Sequence, residues 1–222
     1  MLISFILIAG AYVLGSIPFA LVIGKGIYHI DVRKAGSGNT GTTNVFRVVG
    51  KTAGTLVFIG DTFKGFIPVF LAARLAPAGS AALVAVLTAG AAICGHTWSI
   101  FLRGRGGKGV AAGGGAIIAL MPLIFVIVFA AFWAVLLLSR MVSAASLLAA
   151  LCFSAAVILS GQPLPYIVFA LLGSAVIFYA HRSNIRRLIK GEENRVAFPW
   201  NKRRQRRPGD SGPLSGRPGR QE

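Results

Sequence analysis

The chain has 222 residues, 55% of them hydrophobic and 13% charged, with a formal charge of +17 and a mean hydropathy of +0.73. A soluble domain carries about a quarter charged residues, so half that density together with long apolar runs argues against a soluble globular protein and for an integral membrane protein. The two cysteines, Cys94 and Cys152, lie inside apolar runs and read as small hydrophobes, not as a disulfide framework, metal site or catalytic thiol.

In chain order, the first apolar segment is 2–24. It lacks a basic leading region and a small-residue cleavage site, so it reads as a retained span and not as a signal peptide. Further spans are expected at 53–74, 80–97, 142–160 and 163–181, each with about the 17–25 residues that cross a hydrocarbon core. The stretch 109–139 is too long for one untilted helix and short for two, and Met121-Pro122 near its middle marks a break, because proline ends one helix and starts the next well.

Charge distribution arbitrates the count. Lys25, Arg33, Lys34, Arg47 and Lys51 place the loop 25–52 inside, and Arg103, Arg105 and Lys108 place the next-but-one loop on the same side. A double crossing of 109–139 puts Arg140 and the basic C-terminal segment inside as well, and leaves the uncharged loop 161–165 outside. The expectation is therefore an all-α integral membrane protein, a seven-transmembrane-helix bundle with a short fourth helix, the N-terminus outside and the C-terminus cytoplasmic. Five or six spans is the alternative count.

From His181 onward there are twelve Lys/Arg against four acids. Their position at the edge of apolar segments reads as topology and contact with anionic lipid, not as a nucleic-acid interface. Residues 1–196 are expected to form the transmembrane domain and 197–222 a disordered basic cytoplasmic tail, rich in Pro, Gly and Ser and without apolar periodicity.

This topology gathers three polar segments at one face: GSGNTGTTNVFR (36–47), GHTWSIFLRGRGGKGVAAGGG (95–115) and HRSNIRRLIKGEENR (181–195). The first offers Ser37, Asn39, Thr40, Thr42, Thr43 and Asn44 as hydrogen-bonding groups and Arg47 as a cation, with Gly36, Gly38 and Gly41 permitting close backbone approach to a ligand. An ordinary flexible loop is the alternative. In the second, Gly106, Gly107, Lys108 and Gly109 precede a short helix, where free amides and the helix dipole suit phosphate. It is not a nucleotide-binding loop of the GxxxxGK[ST] kind, since Gly109 stands where Ser or Thr is required.

His96 and His181 sit where apolar spans meet the polar face, and Asn184 lies one helical turn beyond His181. Asp61 and Lys64, three apart in one span, fit either a structural pair or support for a site, since intramembrane charges face a polar interior. Ser143 follows Arg140 at the inner end of the sixth span. No His/Cys/Asp/Glu cluster has metal-ligand spacing.

These segments together resemble the bacterial membrane glycerol-3-phosphate acyltransferases that use acyl phosphate as donor. GSGNTGTTNVFR is similar to their SGNxGATNxxR, with Thr42 for the common alanine. GHTWSIFLRGRGGKGVAA is similar to GHxxPxFxxFxGGKGVAT, with Ser99 for proline and Ala112 for threonine; HRSNIRRLIKGEENR resembles HRxNIxRLxxGxE. Asp61, Lys64-Gly65 and Arg140–Ser143 also look family-like, and the resemblance covers roughly 1–196.

The resemblance implies transfer of a fatty acyl group from acyl phosphate to the 1-hydroxyl of glycerol 3-phosphate, giving 1-acylglycerol 3-phosphate and phosphate at the cytoplasmic (inner) membrane of a bacterium, with no cofactor. It implies catalytic roles for His181, Asn184 and Ser37, and substrate contacts from Gly38, Asn39, Thr42, Thr43, Asn44, Arg47, His96, Gly106, Gly107, Lys108, Gly109 and Ser143. The proton acceptor is either His181 or a substrate phosphate. The rival reading is a phosphate or organophosphate transporter using the same basic vestibule; a non-catalytic lipid-binding scaffold is the third.

Overall fold

Ten α-helices make up the computed structural model, which describes residues 1–196; the expected basic tail at 197–222 lies outside the described residues. They are α1 (Leu2–Ser16), α2 (Phe19–Gly24), α3 (Thr42–Val48), α4 (Lys51–Leu75), α5 (Ala81–Thr97), α6 (Val110–Leu120), α7 (Pro122–Ser139), α8 (Val142–Leu159), α9 (Leu164–Ala180) and α10 (Arg182–Ile189). No strand occurs among the described residues. Backbone groups in hydrocarbon must be satisfied within the segment, which is what helices do.

Five segments are long and apolar enough to cross a membrane: 2–24, 51–75, 78–102, 122–139 and 142–159. A sixth arises if α9 is taken with α10, from which it departs by 64°, and α6 is a shorter apolar helix. Large apolar side chains point outward, with Leu123, Leu138 and Leu159 at 82%, 87% and 86% exposure. In water such a surface would aggregate; against lipid tails it is the expected exterior.

The first span is broken. Pro18 cannot continue the hydrogen-bond ladder, so α1 stops at Ser16 and α2 restarts at Phe19. At the break, Ser99 Oγ donates to the Ser16 oxygen at 2.6 Å, and the Ile17 oxygen accepts from Lys64 Nζ at 2.8 Å as well as from the Phe19 amide at 3.1 Å. The expected break in 109–139 is also present, with Pro122 opening α7 directly after Met121.

Packing between helices relies on small residues. Without a hydrophobic drive between helices in lipid, close backbone approach supplies the contact. Gly65 of α4 lies against the Ala112 backbone of α6, and Gly115 of α6 lies against the Thr62 backbone of α4; a Cβ at either would collide with a carbonyl oxygen. This reciprocal pair seats α6, and with it the loop before α6, on α4. Gly115→Val should therefore force the two helices apart, lowering thermal stability in detergent by roughly 1–3 kcal/mol. A variant with unchanged melting would show that the close approach is dispensable. The apolar core beyond this contact joins Val69, Ile93, Ile117, Met121, Phe153 and Phe169.

A candidate phosphate site where three polar segments meet

The first polar segment is more ordered than a free loop. Gly36 and Gly38 adopt φ of 61° and 69°, which lets the chain reverse after the short 3-10 turn at 32–34. Asn44 is buried and holds that reversal: its Oδ1 accepts from the Ser37 amide at 2.9 Å, while its Nδ2 donates to the oxygens of Val32 and Ala35 at 2.9 and 3.2 Å. Asn44 is thus engaged by backbone on both sides of its amide and organises the loop. The loop is also shorter than expected, because Thr42–Val48 is helical (α3) with Gly41 before it. Ser37, Thr43 and Arg47 remain exposed; Asn39 and Thr42 are half-buried.

The second segment turns on Arg103, left-handed at φ 51°, and Gly104, at φ 77°. The amides of Gly106 and Gly107 donate to the oxygens of Thr97 and His96, both at 3.0 Å. They are therefore not the free phosphate-facing amides that the glycine pattern suggests; the turn consumes them. The two glycines serve close packing instead, since a Cβ on Gly106 would strike the His96 oxygen and one on Gly107 the His96 ring. Gly109, at φ 81°, then starts α6 and aims Lys108 away from the helix.

His96 lies behind this loop. Its Nδ1 is 3.6 Å from Asp61 Oδ1, and Asp61 pairs with Lys64 at 2.8 Å, all three being buried. His96 therefore supports the loop from below. Thr40 of the first segment joins Ser16, Lys64, His96, Ser99, Gly106 and Gly107 around a polar cavity of about 10 Å³, room for a single water. This cavity is where the first and second segments meet.

The third segment closes the arrangement. His181 ends α9 and begins α10 at the 64° bend, and Asn184 lies one turn later on the same buried face. Lys108 Nζ donates to Asn184 Oδ1. Asn184 Nδ2 donates to Glu193 Oε1, and Arg187 Nε to Glu193 Oε2, both at 2.8 Å. Arg187 and Glu193 stand at the second R and the final E of the HRxNIxRLxxGxE pattern, but the sequence reading gave neither a role, although an acid within so basic a segment was a usable signal. The Val196 amide donates to the Arg140 oxygen at 2.7 Å, tying the chain after α10 to the corner before α8. Just inside that corner Ser143 is buried with its hydroxyl unpaired.

The electrostatics follow from this geometry. Burial lowers Lys108 from the usual lysine value to about 8; Glu193 opposes the shift, while Arg187 and Arg47 add to it. Burial also lowers His181 to about 4, helped by the Lys108 charge. Its Nδ1 is 2.8 Å from the Ile177 oxygen, an acceptor only, so Nδ1 carries the proton and Nε2 is left with its lone pair. A half-buried cation lacking a full counter-charge, set beside a second cation and a neutral imidazole, is suited to an anionic substrate bearing a hydroxyl. Nearby, Arg33, Phe101, Leu102, Arg103 and Arg105 line an outer groove of about 440 Å³, where Asp31 already holds Arg33 at 2.7 Å.

Comparison with known proteins agrees with this chemistry. Residues 5–191 match the family model for glycerol-3-phosphate acyltransferase. A glycerol-3-phosphate acyltransferase of Rubrobacter xylanophilus is 46% identical over 190 residues, 86% of this chain and 94% of that protein. Another, from Geobacillus kaustophilus, is 43% identical over 85% of this chain and 94% of its own. The crystal structure of PlsY (YgiH), an integral membrane glycerol 3-phosphate acyltransferase, in its glycerol 3-phosphate form superposes with a TM-score of 0.83 at 37% identity, over 87% of this chain and 96% of that one. Its lysophosphatidic acid form gives 0.80 at 36% identity, over 87% and 95%.

Proposed function

Since the chain belongs to the glycerol-3-phosphate acyltransferase family, we propose that it transfers a fatty acyl group from acyl phosphate to the 1-hydroxyl of glycerol 3-phosphate. It does so at the cytoplasmic face of a bacterial inner membrane, as a seven-span bundle with its N-terminus outside. The observation that carries the site assignment is the Lys108–Asn184 hydrogen bond, which joins the glycine loop to the third segment within the field of Arg47.

In this reading Lys108 and Arg47 hold phosphate, and the unpaired Ser143 hydroxyl donates to it. Ser37 and Asn39 orient the donor, and a hydroxyl or amide donor polarises its carbonyl as negative charge develops on oxygen. Gly38 keeps the Ser37 turn open, while Thr42 and Thr43 flank it at the start of α3. The mixed anhydride is already activated, so the glycerol hydroxyl attacks the acyl carbon directly. The carbon–oxygen bond to phosphate then breaks, and phosphate leaves. His181 Nε2, neutral and unprotonated, accepts the hydroxyl proton. With an unliganded value near 4 it is a weak base that passes the proton on to the departing phosphate. Cys94 and Cys152 are half-buried in the apolar helices α5 and α8, and direct attack on the mixed anhydride needs neither as a nucleophile.

The test is purified protein supplied with a defined acyl phosphate and glycerol 3-phosphate. Stoichiometric release of phosphate and 1-acylglycerol 3-phosphate is expected; flux of glycerol 3-phosphate into proteoliposomes without acyl product would favour the transporter reading instead. A pH profile refines it. Lys108 is charged below its value of about 8 and neutral above it, so phosphate attraction is present at neutral pH and fades as pH rises through that value. The kcat/KM for glycerol 3-phosphate should accordingly fall above about pH 8. In Lys108→Arg, whose guanidinium stays charged, the alkaline limb should move beyond that range even if the maximum rate is lower. An unmoved limb would separate it from Lys108.

A further inference from the structure

The helix that carries Asn184 inward carries something else outward. Asn184 is buried on the inner face of α10, and Arg182, Ser183, Arg186, Ile189 and Lys190 are exposed on the other. Residues 182, 186 and 190 recur every four positions, so their cations form one row along the helix. Among the described residues none of the three is ion-paired; the nearby Glu193 is held instead by Arg187.

Two observations set the depth and direction of this face. The bend of 64° at His181 turns α10 off the axis of α9 just where the apolar segment ends. The Tyr179 and Trp98 rings pair at 6.1 Å, and the Arg182 guanidinium lies 4.6 Å over the Tyr179 ring. Tyr and Trp collect at the headgroup level of a bilayer, so α10 begins at that level and runs along it. Ile189, 82% exposed, sits beside the cationic row, which gives the face both charge for headgroups and an apolar group for the acyl boundary.

We propose that this outer face docks on anionic phospholipid headgroups of the adjoining leaflet, and that docking holds α10 in the pose where Asn184 meets Lys108 and Glu193. The partner follows from charge complementarity and position: a row of unpaired cations lying in the headgroup layer meets a negatively charged lipid surface. The consequence is that lipid charge sets the fraction of molecules with a competent site. The activity readout rests on the acyltransferase function proposed above.

The full chain is reconstituted into vesicles of phosphatidylcholine with increasing fractions of phosphatidylglycerol, with substrates added to both faces. The kcat/KM for glycerol 3-phosphate should rise by roughly fivefold with anionic lipid. Bulk electrostatics works the other way, since an anionic surface depletes an anionic substrate, so the sign of the change is diagnostic. Arg186→Gln/Lys190→Gln removes two cations of the row and leaves Arg182 on Tyr179. It should match the wild-type rate in detergent and show a flat response to lipid charge. By native mass spectrometry it should also retain fewer phosphatidylglycerol molecules than the wild type.

A flat or falling wild-type response overturns the proposal. So does an undiminished rise in the double variant, which would assign the effect to other basic residues. Should no turnover occur in any lipid, the acyltransferase reading fails, and equal phosphatidylglycerol retention by the two proteins still decides against the docking face.

Discussion

Lys108→Met is expected to lower kcat/KM for glycerol 3-phosphate by roughly 30-fold or more, the equivalent of about 2–5 kcal/mol for removing one member of a desolvated charge pair. Lys108 reaches Asn184 from the glycine loop and is the one residue that links the second and third segments by a side-chain hydrogen bond among those described. Its burial is costly, as the fall to about 8 records, and a bound phosphate is the group that would compensate it. Methionine keeps the length and apolar stem of the side chain, so the helices should still pack. A folded Lys108→Met protein with near-normal kcat/KM would remove the phosphate assignment. Isothermal titration with glycerol 3-phosphate gives the same comparison without turnover, and there the loss should be in affinity.

The second large effect concerns stability. Asp61 and Lys64 form a buried pair at 2.8 Å inside α4. Removing one partner of such a pair strands the other charge at a cost of about 3–5 kcal/mol, whereas replacing both with apolar side chains is often neutral. Lys64 has a second duty, because it also donates to the Ile17 oxygen at the break between α1 and α2. Asp61→Leu should therefore be severely destabilised in detergent melting. Asp61→Leu/Lys64→Met should recover most of that loss but stay below wild type by about 1 kcal/mol, the net worth of the lost Lys64 bond, since the Ile17 oxygen keeps the Phe19 amide at 3.1 Å. Full recovery in the double variant would show that the Phe19 amide alone suffices for the Ile17 oxygen. A mild effect in the single variant would show that the pair is not held dry. The double variant should also move the His96 ring, and with it Gly106 and Gly107, so its activity should suffer more than its stability.

The apolar segments were plain in the sequence because a membrane span is written in about twenty consecutive side chains, each judged by its own solvent preference. Even the break at Met121-Pro122 was readable, since proline removes a donor locally. Lys108, His181 and Asn184 could be selected as candidates from residue type, frame and order in the chain. What the polar groups bond to was not legible, because the Lys108–Asn184 contact joins residues 76 apart and the Ser99 bond to the Ser16 oxygen spans 83.

The corrections share a cause. Glycines and amides announce a polar backbone turn, but the sequence does not say whether its donors face a ligand or the turn itself. Folding directed the Gly106 and Gly107 amides to the carbonyls of α5, and Asn44 to the backbone around Val32. It placed His96 under the loop and not in its mouth. Local composition and spacing were thus enough to read the membrane class, the order of the apolar helices and the three candidate polar segments. Which polar groups are left free was set by the tertiary packing alone, because a hydrogen bond between distant segments depends on how the helices approach, here on the close contacts of Gly65 and Gly115 that seat α6 and the glycine loop before it on α4.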